Sequence, residues 1–382
     1  MRRAEGHPSR RAFLGAGATA LAAGLTAGCE AGDSPPGRDA PATAAPVTPT
    51  GVHQAGITLP AEAQPNLLVV VADVDGGAAV GPLLAELGEA VRALASGADA
   101  RLLGLPAGDL TVTIGIGPRL VRLAGAGLPG GADLPPFSHE RVEPRARGGD
   151  LLVQVCAGDA VVPPVAAAAL LALAGDRVRE RWRQSGRRGP AVPVRQGRTA
   201  PRNVMGFVDG VVGPHSTAQQ QRDLWLAGPA PVAGGTIAVL RRMEVDLARF
   251  AALPVAAQEA VFGRRRDTGA PLSGGDIAAD PDLGAKTPDG RYLVPADAHL
   301  RRAHPAVVGV GLMLRRSYSI DEPAPGLLFI SFQNDLRTFT NTLARMEGGD
   351  ALLPFTTTTA AANFLVLPGF DEQRPLGATL FP

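Results

Sequence analysis

The chain has 382 residues, of which 45% are apolar and 19% charged, enough to bury a sizeable core and too few charges for a disordered chain. Lys+Arg number 37 against 36 Asp+Glu, so nothing in the charge balance supports a nucleic-acid partner. Two cysteines exclude a disulfide framework and any cysteine-rich zinc or iron–sulfur site.

The N-terminus opens with Ser9-Arg10-Arg11-Ala12-Phe13-Leu14 and a short apolar run to Leu25. A twin arginine before a mildly apolar segment resembles a Tat export signal, with a Sec signal or an ordinary first helix as alternatives. The run is too short to span a bilayer, and no later stretch is long enough, so a soluble mature protein is expected. Leu25-Thr26-Ala27-Gly28-Cys29 resembles a lipobox, with Thr26 where leucine is usual, and marks Cys29 as a candidate lipid anchor. From Glu30 to about Gln64 the chain is rich in Pro, Ala, Thr and Gly without apolar periodicity, which predicts a disordered linker.

From residue 66 strands and helices alternate. Leu67–Asp73 is a short apolar run expected to be a buried strand, and Val80, Leu83, Leu84, Leu87, Val91 and Leu94 recur at helical spacing. Leu110–Ile116 and Leu151–Cys156 predict strands, and residues 165–184 an Ala/Leu-rich helix. That order is the ferredoxin-like α+β unit. The second half repeats it. Thr236–Val245 predicts a strand, 246–262 a helix interrupted by Pro254, Gly311–Tyr318 and Leu327–Phe332 strands, 335–346 a helix, and Ala362–Leu367 a closing strand. The expected fold is therefore α+β, two ferredoxin-like halves (65–220 and 221–382) with antiparallel sheets. The segments 185–235 and 263–308 lack regular pattern, and loops of that length tend to be functional.

Those loops carry the local signals. In Asn203-Val204-Met205-Gly206-Phe207-Val208-Asp209-Gly210 two glycines bracket an aspartate, allowing a tight turn that presents the carboxylate. Taken alone, an ordinary Asp-Gly turn explains it equally well. The second loop contains Ala296-Asp297-Ala298-His299-Leu300-Arg301-Arg302 and leads to Leu314-Arg315-Arg316-Ser317-Tyr318.

In combination these segments resemble the dye-decolourising peroxidases. The G-x-x-D-G turn matches that family's signature, His299-Leu300-Arg301 its proximal-histidine segment, and Leu314–Tyr318 its distal-arginine strand. Gly149–Cys156, Gly234-Gly235-Thr236, Gly263–Leu272 and Gly326–Ile330 also fit, so the resemblance spans roughly residues 60–380. The export leader is similar to that of the exported bacterial branch, which is also linked to release of iron from haem. The resemblance implies one haem b per chain between the halves, with His299 as iron ligand.

The histidine census agrees: of six, His7 lies in the leader and His53 in the linker, while His139, His215 and His304 sit in turns or loops. Cys156 is the thiolate alternative, weighed against simple strand packing. By the same resemblance, Asp209 moves a proton between the peroxide oxygens and Arg315 offsets developing negative charge, with Arg316 pointing to the opposite strand face. Leu327 and Phe329 line a dry pocket, although plain core packing is the competing reading. Asp350 accepts a hydrogen bond from His299, with Asp297 as local competitor, and Arg264 pairs with a haem propionate. Bulky reductants would need surface electron transfer, for which Trp182, Trp225, Tyr292 and Tyr318 are the oxidisable residues.

The expected partners are hydrogen peroxide and a small organic reductant, together with a candidate iron-uptake permease and a homo-oligomeric partner. Two further readings stay open. One is a haem-handling component that releases iron from an intact porphyrin; the other is a tethered binding protein without turnover.

Overall fold

The apolar run after Asn66 forms β1 (Asn66–Val74) in the computed structural model, which describes residues 45–195 and 197–382. The expected export signal, Cys29 and the first part of the expected linker lie outside the described residues. After β1 come α1 (Val80–Ala95), β2 (Thr111–Ile116), α2 (Pro118–Ala124), β3 (Leu151–Ala157), α3 (Val162–Ala174) and β4 (Val178–Arg187). A small hairpin, β5 (Ala191–Pro193) with β6 (Thr199–Pro201), and α4 (Thr217–Asp223) lead to the second half. There β7 (Thr236–Val245), α5 (Leu247–Ala251), α6 (Val255–Phe262), α7 (His299–Arg302) and α8 (Pro305–Val308) precede β8 (Leu314–Arg315) and β9 (Tyr318–Ile320). The chain closes with β10 (Gly326–Gln333), α9 (Leu336–Glu347) and β11 (Thr356–Val366).

Each half places its first and third strands side by side in the centre of an antiparallel sheet, β2-β3-β1-β4 in one and β11-β7-β10-β9 in the other. The two sheets join at two thin seams. One is Leu365↔Ile116 with Val366↔Gly115, and the other is the single pair Arg187↔Ser319. The strands thus close into a ring. Because side chains alternate along a strand, each strand feeds two cores. Leu67, Val69 and Val71 of β1 point into the ring with Leu328 and Ile330 of β10, whereas Leu68, Val70 and Val74 pack under α1 and α3.

Three stretches depart from the expectation. Residues 178–184 are strand, not helix: Gly175 ends α3, and Val178-Arg179-Glu180-Arg181-Trp182-Arg183 continues as β4, paired along β1. Gly311–Tyr318 is not one strand, since 311–313 run without regular structure and Arg316–Ser317 separate β8 from β9. Residues 54–64 are not a free linker, because Gln54, Ala55, Ile57 and Gln64 are buried. Gln54 Nε2 donates to the carbonyls of Ile114 and Leu367, and Arg316 donates to those of Ile57 and Pro60. Just before them, His53 stacks on Trp225 with ring centres 3.6 Å apart. Coil of this kind packs by satisfying its polar atoms one by one, which leaves no periodic trace in the sequence. Among the described residues no helix is long and apolar enough to cross a membrane.

Candidate active site

One cavity of about 200 Å³ lies on the helix side of the second sheet. Ser138 and His139 are the part contributed by the chain before β3; the 203–212 turn, β7, α6–α9, β8 and β10 supply most of the rest. The site therefore sits in the layer of the second half rather than at the seam where the two sheets meet.

His299 opens α7, and its Nδ1 lies 2.8 Å from Asp350 Oδ2. Asp350 is 3% exposed, and its Oδ1 accepts from the Leu352 amide, so the carboxylate is held from both ends. A carboxylate is acceptor-only, so Nδ1 carries a proton toward Asp350 and Nε2 is the ring nitrogen left facing the cavity side for another partner. Burial opposes a charge on His299, yet the charge and hydrogen bond of Asp350 outweigh it and hold the imidazole above its ordinary value. Phe262 meets the imidazole edge-on at 6.3 Å, and Phe207 stacks on Phe262 at 3.9 Å. Asp297, the local competitor, is exposed and touches this region through its backbone carbonyl, which accepts from Ala351.

The 203–210 turn is built by Asn203, whose Oδ1 accepts from the amides of Met205 and Phe207. Gly206 and Gly210 take φ of 84° and 78°, the left-handed region where a Cβ is penalised, so the turn needs glycine there. It delivers Asp209 Oδ1 to 2.6 Å from the Gly210 amide and 3.5 Å from Arg315 Nη2. The latter distance is long for a hydrogen bond, so the guanidinium keeps its donors for another partner. Arg315 is anchored through β8, opposite Ser331. Its neighbour Arg316 points to the other face as expected, 6% exposed against the Ile57 and Pro60 carbonyls.

Leu327 and Phe329, two apart on β10, both line the cavity. Arg264 does too, 8% exposed, with Nη1 donating to the carbonyls of Gly269 and Ile277. Among the described residues no carboxylate stands within ion-pair distance of it. Burial, reinforced by Arg315, pushes its pKa down to about 10. Cys156 is buried inside the ring, 3.6 Å from the Tyr318 hydroxyl, and does not line the cavity. Trp182, Trp225 and Tyr318 are buried, while Tyr292 is 43% exposed between Lys286 and Arg301.

Several lining residues carry no signal of their own in the sequence. Arg241 on β7 forms a buried ion pair with Glu140 at 2.9 Å, joining the 138–147 loop to the site wall. His139 and His304 also line the cavity. His139 holds φ of 57°, and its carbonyl accepts from Thr358. A loop histidine next to Pro-rich sequence looks the same whether it faces a cavity or water.

An imidazole held by a buried carboxylate and a carboxylate–guanidinium pair thus face one apolar cavity within a double ferredoxin-like fold. Comparison with known proteins names the family. The models "Dyp-type peroxidase, N-terminal" and "Dyp-type peroxidase, C-terminal" match residues 54–188 and 200–371, so the chain belongs to the Dyp-type peroxidase family. It is 36% identical over 295 residues to a dye-decolorizing peroxidase of Thermobifida fusca (strain YX), covering 72% of this chain and 68% of that one. It is 28% identical to a deferrochelatase of Escherichia coli O157:H7 over 98% of this chain and 97% of the relative. Among solved structures, the oxyferrous complex of DtpA from Streptomyces lividans superposes with a TM-score of 0.81 at 31% identity, over 89% of this chain and 98% of the other.

Proposed function

We propose that this chain is a haem b peroxidase that uses hydrogen peroxide to oxidise organic reductants. The observation that carries the reading is that His299, held from behind by the buried Asp350, and Asp209 with Arg315 line one apolar cavity. The donor set fits a haem. Nε2 of His299 is a bare nitrogen donor, Leu327, Phe329, Leu343 and Leu352 offer apolar walls to a flat macrocycle, and Arg264 is a buried cation suited to a propionate. The bound group supplies redox-active iron on which peroxide is reduced.

The protein's own part is proton transfer and electrostatics. Oδ1 of Asp209 is engaged by Gly210 and faces Arg315, which leaves Oδ2 to accept a proton from one peroxide oxygen and return it to the leaving one. The Arg315 guanidinium offsets negative charge as the O–O bond lengthens. Leu327 and Phe329 exclude water, which strengthens both effects. Asp350 holds the imidazole in one tautomer and raises its electron density. A second reading, release of iron from intact porphyrin, is favoured by the deferrochelatase relative that matches nearly the whole chain.

One experiment separates them: purified holoprotein receives peroxide with and without a dye. Peroxide-dependent dye turnover with intact haem supports the peroxidase; accumulation of iron-free porphyrin supports the second reading; a chain that takes up no haem overturns both. The same reading places the protein outside the cytoplasm, exported through the twin-arginine leader and tethered through Cys29. Mass spectrometry of the mature N-terminus tests it, and an unlipidated Cys29 removes the tether. An iron-uptake permease partner and a homo-oligomeric state belong to this proposal, tested by co-purification and by light scattering.

A further inference from the structure

The sequence contains five methionines, and all but Met1, which is outside the described residues, line this single cavity. Met205 lies four residues before Asp209, and Met313 two before Arg315. Met243 sits on β7 directly across from Leu327, and Met346 lies on the last turn of α9. All four are half-buried, neither sealed into a core nor fully in solvent. Met205 and Met346 also pack against the two small clusters that border the cavity, around Phe207 and Phe339, while keeping part of their surface open to it. The two large cores, under α1 and α3 and inside the ring, contain no methionine and are filled mainly by Leu, Val, Ile, Ala and aromatic residues. Cys156, the other oxidisable sulfur among the described residues, is sealed inside the ring.

We propose that Met205, Met243, Met313 and Met346 are oxidation sites that consume surplus peroxide at the cavity when reductant is scarce. The inference rests on the peroxidase reading, which brings peroxide to Asp209 and Arg315. The thioether is soft, polarisable and oxidised reversibly. Its sulfur lone pair takes one oxygen atom from hydrogen peroxide. An S–O bond forms, the O–O bond breaks, and the hydrogen on the transferred oxygen passes to the departing hydroxide, giving water. Sulfur loses two electrons and peroxide gains them, so no further reagent is needed. The four sites together give the cavity a fixed capacity for excess oxidant before the haem itself is attacked.

The test uses the haem-loaded full chain, titrated with hydrogen peroxide without a reductant, followed by peptide mass spectrometry and the Soret band. The expected result is sulfoxide at these four positions, formed faster than in free methionine at the same peroxide concentration, ahead of Soret bleaching and suppressed by added dye. The quadruple variant M205L/M243L/M313L/M346L should bleach after fewer peroxide equivalents; should it fail to fold, the wild-type sulfoxide map decides alone. Bleaching with the four thioethers intact, or oxidation no faster than in free methionine, overturns the proposal while dye turnover leaves the peroxidase reading standing. A chain with neither a Soret band nor dye turnover overturns both.

Discussion

The two halves share one strand order and use the helix side of their sheets in opposite ways. In the first half, α1 buries Leu83, Leu84, Leu87, Val91 and Leu94 directly on the sheet, and α3 is apolar on nearly every side. In the second, α5 and α6 are short and broken at Pro254, and α9 buries only Thr338, Phe339, Thr342 and Leu343. The residues from Gly263 to Met313 fill the remaining layer with loops and the short α7 and α8. One sheet face thus becomes a core and its counterpart a cavity. Duplicated topology specifies the strands, whereas helix length and apolar width decide whether the layer above closes.

The sharpest way to break the contrast is His299→Ala, which removes the nitrogen donor of the open layer. Protein purified from it after haem supply should show no Soret band, while far-UV circular dichroism stays native because the first-half core is untouched. Asp209→Ala and Arg315→Ala come next: each should keep the Soret band but lower kcat/KM for peroxide, by about 10²–10⁴-fold for the proton-transfer carboxylate and about 10²–10³-fold for the charge-stabilising guanidinium. Stopped-flow mixing with peroxide reads this out, and wild-type rates in both would end their assignment.

The halves should also differ in their tolerance of truncation. Leu87→Ala, at 1% exposure in the closed layer, should cost about 2–5 kcal/mol in urea unfolding. Leu343→Ala beside the cavity should cost less, because the space it vacates joins an opening already present. Equal losses would mean the two layers are packed alike. Asp350→Asn should weaken haem retention or activity by about 10–100-fold, as loss of the partner that orients a ligating histidine does elsewhere.

The smallest effect is in the pH dependence of apoprotein stability. Burial keeps His53 below its ordinary 6.5, despite the hydrogen bond to the Gly234 carbonyl. The unfolded chain therefore takes up the proton first, so stability is intact above about pH 6.5 and falls as pH drops below it. His299 runs the other way, its raised pKa adding stability at low pH that is lost as pH rises past that value. His53→Gln should flatten the acid side of the curve, and an unchanged slope would show that the stack on Trp225 is not held in the folded state.

Much of the site was legible because its residues sit in short segments with their own local logic. The glycines around Asp209, the Arg315–Arg316 alternation and the 327/329 spacing each depend on neighbours no more than four residues away. Misreadings fell where long-range contact decides. Val178–Arg183 joins β4 because β1 offers an open edge, not through any apolar stripe of its own. Residues 54–64 are held by Ile114, Leu367 and Arg316, from strands and loops far along the chain. The Arg241–Glu140 pair spans 101 residues.

The sequence by itself determined most of the element order, the doubled α+β plan and which polar side chains are candidates for chemistry, because turns, alternation and helical spacing are local properties. Only the tertiary structure decided that the ring closes through two thin seams, that Asp350 rather than Asp297 orients His299, and that four scattered methionines face one cavity. Those outcomes depend on which surfaces meet, and contact between segments 50 to 300 residues apart is set by packing free energy rather than by any local pattern.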